Sequence, residues 1–152
     1  MSKVSYPIPV ISLRVVRDSS IPASKPIRNP ASMAALLIEK YGAIDREVFI
    51  VIHLDTRNQV SAIEPVSYGD LNTNHIAMRE VFKGAILSNA ASIILAHNHP
   101  SGSLTPSAED VAFTHEAVKA GDLLDIEVLD HLVFSDTDYI SMRERCIGFA
   151  CI

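Results

Sequence analysis

A short apolar run, SIILA (residues 92–96), leads directly into the segment HNHPSG, and this junction constrains the fold more than any other feature of the chain. The run is rich in β-branched residues, which predicts a buried strand. Pro100 and Gly102 then break the extended path and force a turn. Further along, Ser107 and Asp110 form the Ser-x-x-Asp pattern that opens a capped helix. The sequence therefore predicts a strand, a tight turn and a helix in immediate succession.

The other patterns along the chain predict helices and strands in alternation. Helices are expected over residues 30–40, 74–90, 107–121 and from 141 onward, and strands over 10–16, 47–54, 59–66 and within 123–134. The strands at 47–54 and 59–66 are separated by the turn DTRN and should form a hairpin. This alternation predicts an α/β (or α+β) fold with a mixed central β-sheet and flanking helices.

The chain divides into an arm, residues 1–29, and a folded domain, residues 30–152. The arm combines the expected strand VISLRVV with SSIPASKPIRNP (19–30), whose prolines exclude a regular helix or central strand. Residues 1–46 hold seven basic and three acidic residues, and residues 47–152 hold six basic and fifteen acidic residues. The acidic charge of the second part weakens the case for nucleic-acid binding there. The Pro-rich arm could pack on a second copy, which would give a homodimer.

The sequence also indicates where the protein resides. No apolar run approaches the roughly 20 residues that cross a bilayer, and the first residues lack the pattern of a signal peptide. We therefore expect a cytoplasmic protein without a membrane partner. Cys146 and Cys151 do not make a disulfide scaffold or a Cys-rich zinc site, and we expect two reduced thiols.

His97 and His99 can point two imidazoles toward one position, because residues i and i+2 of an extended segment share a side. After the turn, Asp110 in the first helical turn can face the same position. Two imidazoles and one carboxylate leave a fourth position open, as in catalytic zinc sites. The Ser-x-x-Asp pattern alone is more often a helix cap, but the combined pattern predicts a metal site, with Zn²⁺ as the ion.

The spacing from His97 through His99 and Ser107 to Asp110 resembles the JAMM metallopeptidase motif, also called the MPN-plus or JAB1 motif. Together with REVFKGAI (79–86) and LDHLVF (129–134), the segment HNHPSG is similar to the bacterial RadC family over roughly residues 30–145. The resemblance implies an MPN/JAMM, cytidine-deaminase-like architecture. Many RadC-like proteins carry an N-terminal region resembling helix-hairpin-helix modules. Residues 1–30 are too short and Pro-rich to hold one, so we expect a stand-alone form.

The resemblance further implies a zinc-dependent metallopeptidase or isopeptidase, with a peptide or protein as substrate. An upstream glutamate would accept the proton of the attacking water, and the family pattern favours Glu47 over Glu80. Ser107 would help to stabilise the oxyanion of the tetrahedral intermediate. The alternative is a DNA-repair or mobile-element accessory protein, in which the metal site is secondary or nucleolytic.

Several other polar residues receive weaker predictions. Asp130 and His131 either support a ligand imidazole or simply end a strand, and the sequence leaves both explanations open. Asn98 should point away from the metal and hold the turn. Arg79 could contact an acidic partner or a neighbouring loop. Three further histidines have no motif around them and are expected to be structural or on the surface: His53, His75 and His115.

Overall fold

The computed structural model describes residues 7–22, 27–69 and 76–151. Its elements are α1 (Pro30–Tyr41), β1 (Val48–Leu54), β2 (Val60–Tyr68), α2 (Met78–Leu87), β3 (Ser92–Asn98), α3 (Ala108–Leu124), β4 (Glu127–Phe134) and β5 (Tyr139–Ser141). The strands form a sheet in the order β2-β1-β3-β4-β5. Neighbouring strands are antiparallel except β3 and β4, which are parallel. The predicted α/β fold with a mixed central sheet is confirmed.

Helices cover both faces of the sheet, and β1 lies between them with all seven side chains buried. Phe49 and Val51 pack with residues of α2 and α3, whereas Val48 and Ile50 pack with α1 on the opposite face. A strand that is buried on both faces has a continuous run of apolar residues in its sequence, rather than an alternation of apolar and polar residues. This explains the sequence VFIVIHL and the rigid support that β1 gives to its neighbour β3.

The strand β3, the helix α3 and the strand β4 form one strand–helix–strand unit, in which α3 connects two parallel strands. β3 lies between β1 and β4, so its carboxyl end is held on both sides. The amino end of α3 comes back over that same end of β3. In open α/β sheets, ligands bind in the crevice outside the carboxyl ends of the strands. The HNHPSG segment occupies this position.

The strand predicted at residues 10–16 was wrong. Residues 7–22 have no regular secondary structure, and the apolar side chains of Val10, Leu13 and Val16 are 99%, 68% and 75% exposed. A β-rich sequence becomes a strand only when another strand pairs with it. Among the described residues, neither sheet edge, β2 or β5, pairs with this segment.

None of the described helices has the length and apolarity required to span a membrane.

The helix predicted from Ser141 onward was also wrong. Ser141 ends β5, and the residues after it form turns. Cys146 and Gly148 have positive φ angles of 55° and 75°, which a right-handed helix does not accommodate. Cys146 and Cys151 form a disulfide, so the expectation of two reduced thiols was wrong as well.

Two helices have different ends from those predicted. α2 is shorter than the expected 74–90, because Ala77 is still extended and Asn89 adopts the left-handed conformation. α3 continues past Gly121 to Leu124 and ends at Asp125, which has a φ of 54°. Gly121 is therefore not a helix stop. It lies where the returning chain approaches the helix, since a Cβ there would be 2.5 Å from the Ile126 carbonyl oxygen.

We predict that Gly121→Ala destabilises the protein even though alanine favours helices. The added methyl must push back the Ile126 backbone, and overpacking of this kind outweighs the gain in helix propensity by about 1–2 kcal/mol. Chemical denaturation of the two proteins measures the difference. Lys119→Ala, at an exposed position of the same helix, serves as the control and should change the stability by less than about 0.5 kcal/mol. An unchanged or raised stability of Gly121→Ala would contradict the close approach.

Candidate metal centre

β3 and its direct continuation carry two histidines to the carboxyl edge of the sheet. The backbone N–H of His99 donates to the Phe134 carbonyl at 2.8 Å, which keeps the chain extended one residue beyond β3. His97 is 5% exposed and its ring stacks against Phe49. The Nε2 atoms of His97 and His99 lie 3.0 Å apart. The two imidazoles therefore converge on one position.

Asp110 reaches the same position from the first turn of α3. The backbone N–H of Ser107 donates to Asp110 Oδ2 at 2.7 Å, and the Asp110 N–H donates to Ser107 Oγ at 3.0 Å. This reciprocal capping box fixes the carboxylate. Asp110 Oδ1 lies 3.4 Å from His97 Nε2, and Oδ2 lies 3.6 Å from His99 Nε2. The Asp110 carboxylate can therefore cap the helix and serve as a metal ligand at the same time.

The three donors have the spacing that a small divalent cation requires. Tetrahedral coordination with bonds of about 2.0–2.1 Å separates neighbouring ligand atoms by about 3.3 Å. The two Nε2 atoms lie 3.0 Å apart, and each faces a different oxygen of Asp110, Oδ1 at 3.4 Å from His97 and Oδ2 at 3.6 Å from His99. With one ligand atom taken from each residue, all three atoms lie within 4.8 Å of one another, which is close enough to share one ion. His97, His99 and Asp110 also form the group of potential metal ligands found among the described residues. The donor set fits a metal ion with two nitrogen ligands and one oxygen ligand.

Hydrogen bonding orients His99 for this role. Its Nδ1 lies 2.7 Å from the Ser103 carbonyl oxygen. A carbonyl oxygen only accepts, so Nδ1 carries the proton and donates. In neutral His99, Nε2 then presents its lone pair toward His97 and Asp110. Such an electron-rich position is stabilised by a cation.

The electrostatics of the site also favour a cation. Burial by itself would raise the pKa of Asp110, but the imidazoles of His97 and His99 beside its carboxylate hold that pKa well below its usual range. The carboxylate of Asp110 raises the pKa of His99, and the charge of Glu47 adds to this rise. Asp110 is therefore ionised at neutral pH, and a second carboxylate acts on the same site.

The structure places Glu47 near the site and Glu80 elsewhere. Glu47 immediately precedes β1, is exposed to solvent and acts electrostatically on His99. Glu80 lies on α2, where its carboxylate is 2.6 Å from Lys83 Nζ and 3.8 Å from the guanidinium of Arg79. Of the two candidate general bases, Glu47 is the one that the fold brings to the histidines.

Asn98 holds the segment that carries Glu47. Its Oδ1 accepts from the Val48 N–H at 2.6 Å, and its Nδ2 donates to the Arg46 carbonyl at 3.0 Å. The Asn98 amide is therefore hydrogen-bonded to the backbone of both neighbours of Glu47, Arg46 and Val48. Asn98 points away from the imidazoles, as expected, but it holds the start of β1 rather than the turn after His99.

Two buried residues, His131 and Thr114, lie on the inner side of the site. The sequence left the role of His131 open, and it did not single out Thr114. His131 Nε2 lies 2.8 Å from His97 Nδ1, and His131 Nδ1 lies 2.7 Å from Thr114 Oγ1. Burial lowers the pKa of His131 well below its usual range, and the charge of His97 lowers it further. Thr114 follows Asp110 by four residues, which places both on one face of α3. That spacing was the available signal for Thr114.

Asp130 does not reach a ligand imidazole. Its carboxylate accepts from Ser141 Oγ at 2.7 Å, from the Arg143 N–H at 3.1 Å and from the His131 N–H at 2.7 Å. These bonds connect β4 to the chain that leaves β5. Asp130 therefore has a structural role, and the imidazole of its neighbour His131 contacts the site.

His53, His115 and Arg79 lie outside the cluster. His53 pairs with Ile93, toward the opposite end of β3 from His97, and its ring contacts Ser88 and Glu64. His115 is exposed on α3. Arg79 is exposed beside Glu80. His75 lies outside the described residues.

Comparison with known proteins agrees with this geometry. Residues 27–147 match the RadC-like JAB domain. The chain belongs to this family. It is 48% identical over 139 residues to a UPF0758 protein of Chloroflexus aurantiacus, and the match covers 91% of this chain and 60% of that protein. A UPF0758 protein of Moorella thermoacetica is 51% identical over 119 residues, with 78% of this chain and 52% of the relative covered.

A third relative, a UPF0758 protein of Desulfitobacterium hafniense, is 46% identical over 130 residues, or 85% of this chain and 57% of the relative. The chain thus spans 60% or less of the length of these three relatives. Their names state no activity. The membership therefore supports the RadC-like JAB fold and the candidate metal centre, and the reaction has to be argued from the site.

We predict that the wild-type chain binds about one zinc ion, and that Asp110→Asn lowers the affinity at least about tenfold. Asparagine keeps an oxygen that can accept from the Ser107 N–H, so the variant removes the charge while leaving the helix cap largely intact. Elemental analysis after dialysis, followed by titration against a chelating dye, measures both values. Glu109→Gln removes the same charge from the next residue and should bind zinc like wild type. Equal binding by Asp110→Asn and wild type would exclude the carboxylate as a ligand.

Proposed function

We propose that this RadC-like JAB domain is a zinc-dependent metallohydrolase of the JAMM type, a metallopeptidase or isopeptidase that acts on a peptide or protein. The observation that carries the proposal is the convergence of His97, His99 and Asp110, whose potential ligand atoms all lie within 4.8 Å of one another. Three protein ligands leave a coordination position for reactants, which is the arrangement of catalytic rather than structural zinc. Asp110 keeps 22% of its side chain exposed, so that position is reachable from solvent.

Zinc is the proposed ion because of the donor types. Imidazole nitrogen with one carboxylate oxygen suits Zn²⁺, whereas Mg²⁺ and Ca²⁺ prefer oxygen ligands. When bound, zinc supplies Lewis acidity, which makes water nucleophilic near neutral pH and polarises a carbonyl. His97, His99 and Asp110 would hold the ion.

Glu47 is proposed as the general base and acid. Its carboxylate takes a proton from the attacking water while the water oxygen bonds to the carbonyl carbon of the scissile amide. Glu47 then gives the proton to the amide nitrogen as the C–N bond breaks, so that a carboxylic acid and an amine are released, and the acid passes its proton to the amine or to solvent. The hydrogen bond that Asn98 donates to the Arg46 carbonyl and the one it accepts from the Val48 N–H support this role, because a general base must stay within reach of the reacting water.

Ser107 is proposed to stabilise the oxyanion. Its Oγ accepts from the Asp110 N–H, and because that bond does not use the hydroxyl proton, the proton remains available for another acceptor. The O–H can donate to the oxygen that gains negative charge as the carbonyl carbon becomes tetrahedral. The rigid N-cap position holds this donor in place before the reaction begins.

We predict that Glu47→Gln abolishes amide hydrolysis while zinc binding remains near the wild-type level. Glutamine keeps the shape of the side chain but cannot take up the proton. Cleavage of libraries of linear and isopeptide-linked peptides, followed by mass spectrometry of the new termini, measures the activity. Glu80→Gln is the matched control and should retain activity, since its carboxylate pairs with Lys83 on α2. Similar small effects of the two substitutions would refute the role of Glu47.

For Ser107→Ala we expect a partial loss, on the order of 10²–10³ in kcat, the usual cost of removing one oxyanion donor. The substitution also removes a helix cap and should lower the stability by about 1 kcal/mol. Thermal unfolding measured beside the kinetics separates the two effects. A variant with normal kcat and only lower stability would assign Ser107 to the helix cap alone.

The nucleolytic alternative is tested with the same preparations. Residues 47–152 have nine more acidic than basic residues, which disfavours contact with a phosphate backbone. Single- and double-stranded DNA incubated with the zinc-loaded protein should remain intact. Cleavage of DNA that depends on Asp110, without cleavage of any peptide, would replace the peptidase proposal with a nuclease.

A further inference from the structure

A series of hydrogen bonds, called the circuit below, joins two of the candidate ligands, Asp110 and His97, on the inner side of the site. It starts at the backbone carbonyl of Asp110, which lies 2.7 Å from Thr114 Oγ1. Thr114 Oγ1 lies 2.7 Å from His131 Nδ1, and His131 Nε2 lies 2.8 Å from His97 Nδ1. Thr114 and His131 are both 0% exposed. The two bonds that His131 makes are buried, so water does not compete for them.

The number of protons in this circuit determines its direction. A threonine hydroxyl has one proton, and a helical threonine commonly donates it to the carbonyl four residues earlier. If Thr114 donates to the Asp110 carbonyl, its oxygen accepts from His131 Nδ1–H. Neutral His131 then has a lone pair at Nε2, which accepts from His97 Nδ1–H. His97 Nε2 is left with its lone pair toward the metal position.

Burial and packing support this direction. A charged imidazole at 0% exposure would pay a large desolvation cost, so His131 is neutral and has one donor and one acceptor nitrogen. Thr114 is held tightly, because a Cβ at Gly148 would lie 3.0 Å from the Thr114 Cβ and Cγ2 atoms. The Thr114 hydroxyl thus stays between Asp110 and His131.

We propose that Thr114 and His131 are positioning residues that fix the tautomer of His97, and so keep its Nε2 lone pair directed at the metal ion. His99 receives the same orientation locally from the Ser103 carbonyl. Among the described residues, the contact of His97 Nδ1 is with His131 Nε2 rather than with a backbone carbonyl, so His97 obtains its orientation through α3 and β4. This inference rests on the proposed metal function, because the orientation of the lone pair matters only when an ion binds there.

The first test reads the tautomer directly in the full chain. Neutral histidine has chemically distinct protonated and unprotonated ring nitrogens, which ¹⁵N NMR of the side chains distinguishes. The proposal expects His131 to carry its proton on Nδ1, in both the metal-free and the zinc-loaded protein. A proton on His131 Nε2 would reverse the circuit and overturn the proposal. This experiment needs no variant to fold and no substrate.

The second test compares Thr114→Val with Thr114→Ser. Valine has the shape of threonine but gives His131 Nδ1–H no acceptor, so His131 is driven to the Nε2–H tautomer and His97 loses its lone pair toward the ion. Zinc affinity should fall 10–100-fold, the usual effect of losing a partner that orients a metal-bound histidine. Serine keeps the hydroxyl and should restore binding. The ¹⁵N spectrum of Thr114→Val should show the switched tautomer.

The outcomes separate this inference from the proposed function. Wild-type affinity in Thr114→Val would overturn the positioning role while leaving the metal function intact. Failure of the wild-type chain to bind zinc would overturn the proposed function, and the His131 tautomer would still decide the direction of the circuit. Melting temperatures of the metal-free proteins identify any loss of affinity that results from unfolding. Equal losses in the serine and valine variants would also contradict the proposal.

Discussion

The pair of hydrogen bonds between Ser107 and Asp110 is the interaction on which the site depends. The same carboxylate satisfies a backbone N–H at the start of α3 and faces the two imidazoles. Because the cap fixes the first turn of the helix, it also fixes one metal ligand relative to the other two. A helix start that needs a polar cap has thereby become part of a catalytic-type donor set, without an additional loop to hold it.

The sheet supplies the rigidity behind this interaction. β3 lies between β1 and β4 and is packed by helices on both faces, so the position of His97 cannot vary independently of the core. The neighbours of β3 each contribute a polar contact at its carboxyl end. Asn98 is hydrogen-bonded to the start of β1 beside Glu47, and His131 on β4 contacts the ring of His97. The geometry of the candidate metal centre is thus a consequence of strand register.

Local patterns predicted the elements that depend on local interactions. The capped start of α1, the apolar strand β1 and the hairpin it forms with β2 follow from capping residues, β-branched runs and a polar turn. The errors lie where distant contacts decide. VISLRVV has the composition of a strand, but no strand in the described part of the chain pairs with it, and the chain after Ser141 is interrupted by positive φ angles at Cys146 and Gly148. Gly121 resembled a helix stop but serves a close approach of the chain.

The sequence by itself determined the candidate ligand set, because His97, His99 and Asp110 lie within one strand, one turn and one helix start, where spacing alone dictates direction. Tertiary structure alone decided which glutamate approaches the site and which groups stand behind the histidines. Glu47 comes near His99, and His131 contacts His97, through the pairing of β3 with β1 and β4. Strand pairing joins residues that are far apart in the chain, and no local periodicity encodes which strands become neighbours.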